Sequence, residues 1–320
     1  MLKTSIQTTG FITDKTPSEY EEKLKALKEA GFDAIDFSLC CNLSSADIVS
    51  NKHSDYFDMS EEEIIQNRIK PFKESACRNN IYFGQLHAPY PTYVIGNNTM
   101  NNYIIEVVKK SLRISAFLEC PYVVVHPIML AYSLGYNEEY EANIKFYSEL
   151  IPYAKKYGVT ICLENMFHTK KGHLYESSCS DAQEAVHYID KLNNIAGFEC
   201  FGFCFDLGHA NIVGKNIRHS LNTLGHRVKA LHIHDNDSKD DLHMMPFSCA
   251  VNWGNDLVTD WEGFLNGLAD IDYKGTINFE THQSFHVFPK TVHKEMLTLT
   301  CAIGNYFAQE IENRKKQFRK

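Results

Sequence analysis

No apolar run in this sequence approaches the ~20 residues that a membrane-spanning helix needs. Met1 to Gly10 is mixed polar and has no apolar stretch of the kind found in secretory leaders. Also missing are Pro/Gly/Ser-rich linkers, low-complexity tracts and any shift in composition that would divide the chain. The 320 residues are therefore expected to form a single domain, residues 1–320. There is no C-x-x-C pair among the ten cysteines, and Cys162 and Cys204 fall inside apolar, strand-like runs. Ten scattered thiols without a leader predict a reduced, cytoplasmic protein with buried cysteines rather than a disulfide framework. The adjacent Cys40 and Cys41 suit neither an easy disulfide nor a metal knuckle, and are read as structural or incidental.

Positive charge is in short supply. Lys and Arg number 32 against 40 Asp and Glu, a formal net charge of −8. Proteins that bind nucleic-acid backbones usually present a basic face, so nucleic acid is not an expected partner. Arg314-Lys315-Lys316, with Arg319 and Lys320, is the one dense basic stretch, and it reads as a solvated helix end.

What the chain does have is alternation. Short β-rich runs are expected at Lys3–Thr8, Ala34–Ser38, Ile81–His87, Tyr122–His126, Thr160–Glu164, Phe201–Asp206, Ala230–His234 and Thr276–Glu280. Helical patterns separate them, at about 18–30, 60–79, 101–118, 137–156, 180–192, 217–224, 261–268 and 290–313. Strands alternating with helices imply parallel crossovers, and eight such units predict an α/β fold of the (β/α)8 TIM barrel type.

Ligand-type side chains recur at the C-terminal ends of these strands. His87 ends the third, His126 the fourth, Glu164 the fifth and Asp206 the sixth, with His209 three residues later. His232 and His234 end the seventh, Asp241 and His243 follow on the next loop, and Glu280 ends the eighth. Barrel enzymes build their active sites on this face, and carboxylates mixed with imidazoles suit Mn²⁺, Zn²⁺, Fe²⁺ or Co²⁺. Each residue alone has a plain structural explanation, such as a loop histidine or a helix cap. Their repetition at one end of successive strands predicts a divalent-metal site of Glu164, Asp206, His232 and Glu280. His209 is read as a ligand, an outer group or a cap, and His234 as an outer group, a substrate contact or a structural residue.

Phe205-Asp206-Leu207-Gly208-His209-Ala210-Asn211, Leu231-His232-Ile233-His234-Asp235 and Asp241-Leu242-His243 resemble the xylose isomerase-like barrel superfamily. That superfamily holds sugar and sugar-phosphate isomerases and epimerases, and endonuclease-IV-type repair enzymes. The resemblance implies one divalent metal (Mn, Zn, Co, Fe or Mg) on Glu164, Asp206, His232 and Glu280. It also implies that Glu164 and Glu280 form an acid/base pair moving a proton through an enediolate of a sugar, sugar phosphate or related polyol. The repair-nuclease branch adds metals at positions matched here by His87, His126, His209, Asp241 and His243. A multi-metal phosphodiesterase is therefore one alternative and a metal-dependent dehydratase another. Lys52, His53, Lys215 and Arg218 are the basic residues available for phosphate contacts. One departure stands out: where many relatives carry Pro-Gly-Glu-Gly before an Asp-Trp pair, this chain reads Met245-Pro246-Phe247-Ser248-Cys249-Ala250-Val251-Asn252-Trp253. Phe11, Tyr90, Tyr93, Phe167, Trp253 and Phe285 are candidates to line a sugar pocket, each with packing as the simpler role. The implied partner is a small carbohydrate, with no membrane; self-association is left open.

Overall fold

The computed structural model describes residues 1–249 and 258–318. Eight parallel strands run in the order β10-β1-β2-β3-β4-β5-β8-β9. They are β1 (Thr4–Gln7), β2 (Ala34–Ser38), β3 (Tyr82–His87), β4 (Tyr122–Val124), β5 (Thr160–Glu164), β8 (Phe201–Asp206), β9 (Val228–His232) and β10 (Ile277–Phe279). A parallel bridge between Ile233 and Phe279 joins the last two. Ile233 N–H donates to Asn278 O and Glu280 N–H donates to Ile233 O, each at 3.0 Å. The sheet thereby closes on itself, and the (β/α)8 barrel expected from the sequence is the fold observed.

Alternation along each strand explains the two cores. In β8, Phe201, Phe203 and Phe205 join the large cluster between strands and helices, while the intervening Cys204 packs inside the barrel. Val124, Cys162, Cys204 and Ala230, one from each of four neighbouring strands, form that small inner cluster. Two residues further along each strand, the same face must present His126, Glu164, Asp206 and His232. The period of two therefore stacks the polar residues directly above a plug of small apolar side chains. Cys162 and Cys204 are buried, and all ten cysteines are free thiols.

Helix ends follow ordinary signals. Helix Pro17–Ala30 starts on proline and stops at Gly31, whose φ of 103° terminates it. Helix Ala182–Ala196 is capped by Asp181, which accepts from the N–H groups of Gln183 and Glu184.

Three expectations need correction. The helix expected over 60–79 is interrupted: Glu61–Ile64, capped by a reciprocal Ser60/Glu63 box, passes into a π-helical turn at Ile65–Ile69 before Lys70–Arg78. Pro71 has no N–H to continue the ordinary ladder, and the wider turn accommodates it. A second hairpin sheet was not foreseen, β6 (Phe167–Lys170) paired antiparallel with β7 (His173–Glu176). Its two-residue turn uses Lys171 and Gly172, with φ of 53° and 79°, the geometry usually marked by Asn-Gly. The basic tail is not a freely solvated end either. Within helix His293–Phe318, Lys315 is buried with Nζ 2.7 Å from Tyr273 O, and Arg314 pairs with Glu262 at 2.9 Å. Arg319 and Lys320 lie outside the described residues.

Among the described residues no helix is long and apolar enough to cross a membrane.

Glu184, in a recess with Glu139 and Glu176 beside the hairpin, has its carboxyl pushed up to about 7 by burial and then by the Glu139 charge. A folded-state value above the unfolded one stabilises the fold at pH below the unfolded value. That contribution is lost as pH rises through about 7. Glu184→Gln should therefore stabilise the protein at pH 8 by roughly 1–2 kcal/mol, allowing for partial exposure. The gain should shrink toward pH 5, as thermal unfolding at the two pH values would show.

Candidate metal and acid/base site

The strand ends converge as the sequence implied. Glu164, Asp206 and His232 are essentially inaccessible, and Glu280 is 8% exposed. His232 Nδ1 lies 3.2 Å from Glu164 Oε1, 3.2 Å from Glu280 Oε2 and 3.8 Å from Asp206 Oδ2. Four side chains from four strand ends thus meet around one imidazole nitrogen.

The remaining candidates flank this centre on two sides. On one, His126 Nε2 is 3.0 Å from Glu164 Oε2 and 3.0 Å from His87 Nε2. On the other, Asp241 gathers three histidines. Its Oδ2 is 2.8 Å from His243 Nε2 and 3.5 Å from His209 Nε2, and its Oδ1 is 3.6 Å from His234 Nε2. His209 owes its place to a cap. Asp206 Oδ1 accepts the His209 N–H at 2.6 Å and starts helix Leu207–Ile212, which returns the ring to the cluster 3.5 Å from Glu164 Oε1. The capping residue is therefore Asp206. His234 is fully buried, stacked on His243 at 4.1 Å and 3.2 Å from Asp206 Oδ1. The structure thus places it behind Asp206, beside the cavity wall formed by His243.

Three of the imidazoles have one nitrogen fixed by a main-chain carbonyl, which sets what the other can do. Nδ1 of His87 donates to Ala88 O at 2.7 Å, that of His209 to Asn165 O at 2.8 Å, and that of His243 to Glu280 O at 3.0 Å. In each ring Nε2 is left facing the cluster.

Both central glutamates are held ionised. Burial pushes the Glu280 carboxyl up, but the His232 and His243 charges outweigh it and bring it to about 2. Burial acts the same way on Glu164, and His232 and His126 hold it well below the ordinary carboxylate range. Even so, Glu164 Oε2, Asp206 Oδ2 and His232 Nδ1 are buried without an aligned hydrogen bond. His126 Nε2 is near Glu164 Oε2 but is not directed at it along a hydrogen-bonding line. Buried carboxylate oxygens and an imidazole nitrogen without partners, gathered at one set of strand ends, are what a divalent cation satisfies. The donor set fits such an ion.

A cavity of about 420 Å³ opens above the cluster. Tyr90, Phe167 and the hairpin residues His168 and Thr169 form part of its wall. Of the other aromatic candidates, Phe11 stacks on Phe285 at 4.6 Å and Tyr93 packs against the core. Trp253, with 250–257, lies outside the described residues. Three of the four basic candidates are already engaged: Lys215 pairs with Glu176 at 2.7 Å, Arg218 with Asp270 at 2.7 Å, and His53 stacks on Tyr103; Lys52 is exposed.

Sequence reasoning missed several groups here. Gln7 Nε2 donates to Glu280 Oε1 at 2.6 Å. Asn165 donates to Asp206 O and accepts from Asp206 N–H, at 2.7 and 2.8 Å. Cys40, read as structural or incidental, lines the cavity with Sγ 3.7 Å from His87 Nδ1. His282 lines it too. A polar residue on the inner face of a strand was the available signal for Gln7; Cys40 and His282 carried none.

Residues 24–299 match the family described as the xylose isomerase-like TIM barrel. The chain belongs to this family. An uncharacterized protein of Methanocaldococcus jannaschii, MJ1311, is 30% identical over 203 residues, 61% of this chain. The match spans 63% of that relative's own length, less than two thirds. The inosose isomerase of Bacillus velezensis is 22% identical over 214 residues, 65% of this chain and 71% of the relative. Among solved structures, an L-ribulose 3-epimerase superposes with a TM-score of 0.69 at 15% identity, covering 100% of this chain and 97% of the other. A D-tagatose 3-epimerase-like protein gives 0.66 at 21% identity, covering 95% and 99%. At these identities the superpositions establish the fold.

Gly208 in the Asp206-to-His209 turn has a steric purpose. A Cβ there would overlap the His234 ring. Gly208→Ala should destabilise the protein by about 1–3 kcal/mol. Adding His234→Ala should recover part of that loss, and a double-mutant cycle on thermal stability checks the coupling.

Proposed function

We propose that this protein is a divalent-metal-dependent isomerase or epimerase of a sugar or related polyol, moving a proton through an enediolate. The observation that carries the reading is the meeting of Glu164 and Glu280, both ionised, at one imidazole nitrogen on the floor of a cavity. The epimerase and isomerase names borne by relatives sharing this fold support it.

In this reading Glu164, Asp206, His232 and Glu280 hold the cation, which supplies Lewis-acid polarisation of a substrate carbonyl. Glu164 and Glu280 act from opposite sides of the bound carbons, one removing a proton and the other returning it. Gln7 fixes Glu280 through Oε1 by its short hydrogen bond, leaving Oε2 beside His232 Nδ1. Asn165 holds the main chain of Asp206, and with it the start of the His209 helix. Tyr90, Phe167 and the hairpin restrict water at the mouth.

A second reading draws on the convergence of His87, His126, His209, Asp241 and His243 around the same centre, which suits a multi-metal phosphodiesterase. The engagement of Lys215 and Arg218 in ion pairs at 2.7 Å and the net charge of −8 weigh against it. Dehydration of a cyclic polyol would use the same acid/base pair.

Glu280→Gln should keep the fold and abolish exchange of the substrate carbon-bound proton with deuterated solvent, assayed by NMR over a panel of ketoses and inososes. Wild-type exchange in that variant contradicts the assignment. Metal analysis separates the two readings: one ion per chain and no cleavage of abasic duplex DNA fits the isomerase, whereas three ions with nicking fits the nuclease.

A further inference from the structure

His232 differs from the other cluster histidines. His87, His209 and His243 each anchor Nδ1 on a main-chain carbonyl and present Nε2. His232 presents Nδ1, and its Nε2 lies 3.2 Å from Oδ2 of Asp36, a fully buried residue in the middle of β2.

The polarity of that contact is set by its neighbours. Asp36 Oδ2 also receives Gln85 Nε2 at 3.0 Å and Asn278 Nδ2 at 3.1 Å. Both amide nitrogens reach Leu231 O as well, at 3.2 and 3.1 Å. Each amide therefore bridges a carboxylate and a carbonyl, two acceptors, so the nitrogen is the atom that belongs there. With donors already supplied by β3 and β10, the Asp36 oxygen acts as an acceptor, and His232 Nε2 must carry a proton to meet it.

We propose that Asp36 is a positioning residue: its carboxylate fixes a proton on His232 Nε2, so that Nδ1, 3.2 Å from Glu164 and from Glu280, is the nitrogen that gives up its proton to bind a cation. It rests on the reading of His232 as a metal ligand. A carboxylate behind an imidazole both orients the ring and raises its basicity as a ligand, and loss of such a partner typically costs 10–100-fold in metal affinity. Gln85 and Asn278 keep the carboxylate from rotating away.

The test uses the full chain, labelled with ¹⁵N-histidine and titrated with Zn²⁺. The His232 signals are identified by their loss in His232→Gln. Long-range ¹H–¹⁵N correlation spectra of the zinc-loaded wild type should show a protonated Nε2 and a metal-bound Nδ1. Asp36→Asn keeps the shape and one acceptor oxygen but removes the charge. It should weaken Zn²⁺ binding about 10–100-fold by calorimetry, while the metal-free variant keeps the wild-type circular dichroism spectrum and cooperative unfolding. A proton on Nδ1 in the zinc-loaded wild type overturns the proposal without any variant. So does Asp36→Asn binding zinc within twofold of wild type. If zinc leaves the wild-type His232 signals unmoved, the metal reading itself fails and the proposal falls with it.

Discussion

Everything at the mouth of this barrel depends on burying like charges together. Glu164, Asp206 and Glu280 sit within reach of one imidazole nitrogen, nearly shut off from water. Ionised carboxylates in such a place repel one another and lose hydration, which is costly unless cationic or hydrogen-bonding partners compensate. Histidines supply part of that compensation, through contacts at 3.0 to 3.9 Å. The oxygens of Glu164 and Asp206 without an aligned hydrogen bond are the part left uncompensated.

The scaffold is arranged around this constraint. Barrel closure by the Ile233–Phe279 bridge brings Glu280 beside His232, and without it the eighth strand end would not complete the cluster. Below, Val124, Cys162, Cys204 and Ala230 plug the barrel with small side chains, a dry floor that keeps the electrostatic interactions above it strong. Around the centre, polar residues from other strands brace the converging side chains: Gln7 from β1 bonds Glu280 and Asp36 from β2 bonds His232.

Much of this was legible in the sequence. Parallel crossovers left eight apolar runs with the right spacing, and the strand-end positions of Glu164, Asp206, His232 and Glu280 predicted their convergence, because parallel strands open at one mouth. The supporting residues were harder to read. Asp36 and Gln85 stand in mid-strand, where a polar residue on the inner face looks the same whether it aims a ligand or merely satisfies a neighbour. The β6–β7 hairpin hid behind a Lys-Gly turn, a weaker cue than Asn-Gly. Its strands are four residues each, too short for alternation to register. The fate of Lys315 could not be read because its partner, the carbonyl of Tyr273, comes from a loop 42 residues away.

The central claim is that these buried carboxylates and His232 form one cation site. Diffraction from crystals grown with Mn²⁺, collected near the manganese edge, tests it most directly. An anomalous peak is expected within bonding distance, about 2.0–2.3 Å, of Glu164, Asp206, His232 Nδ1 and Glu280. An ordered cluster with no peak at that point, or manganese bound only through His87 and His126, would contradict it.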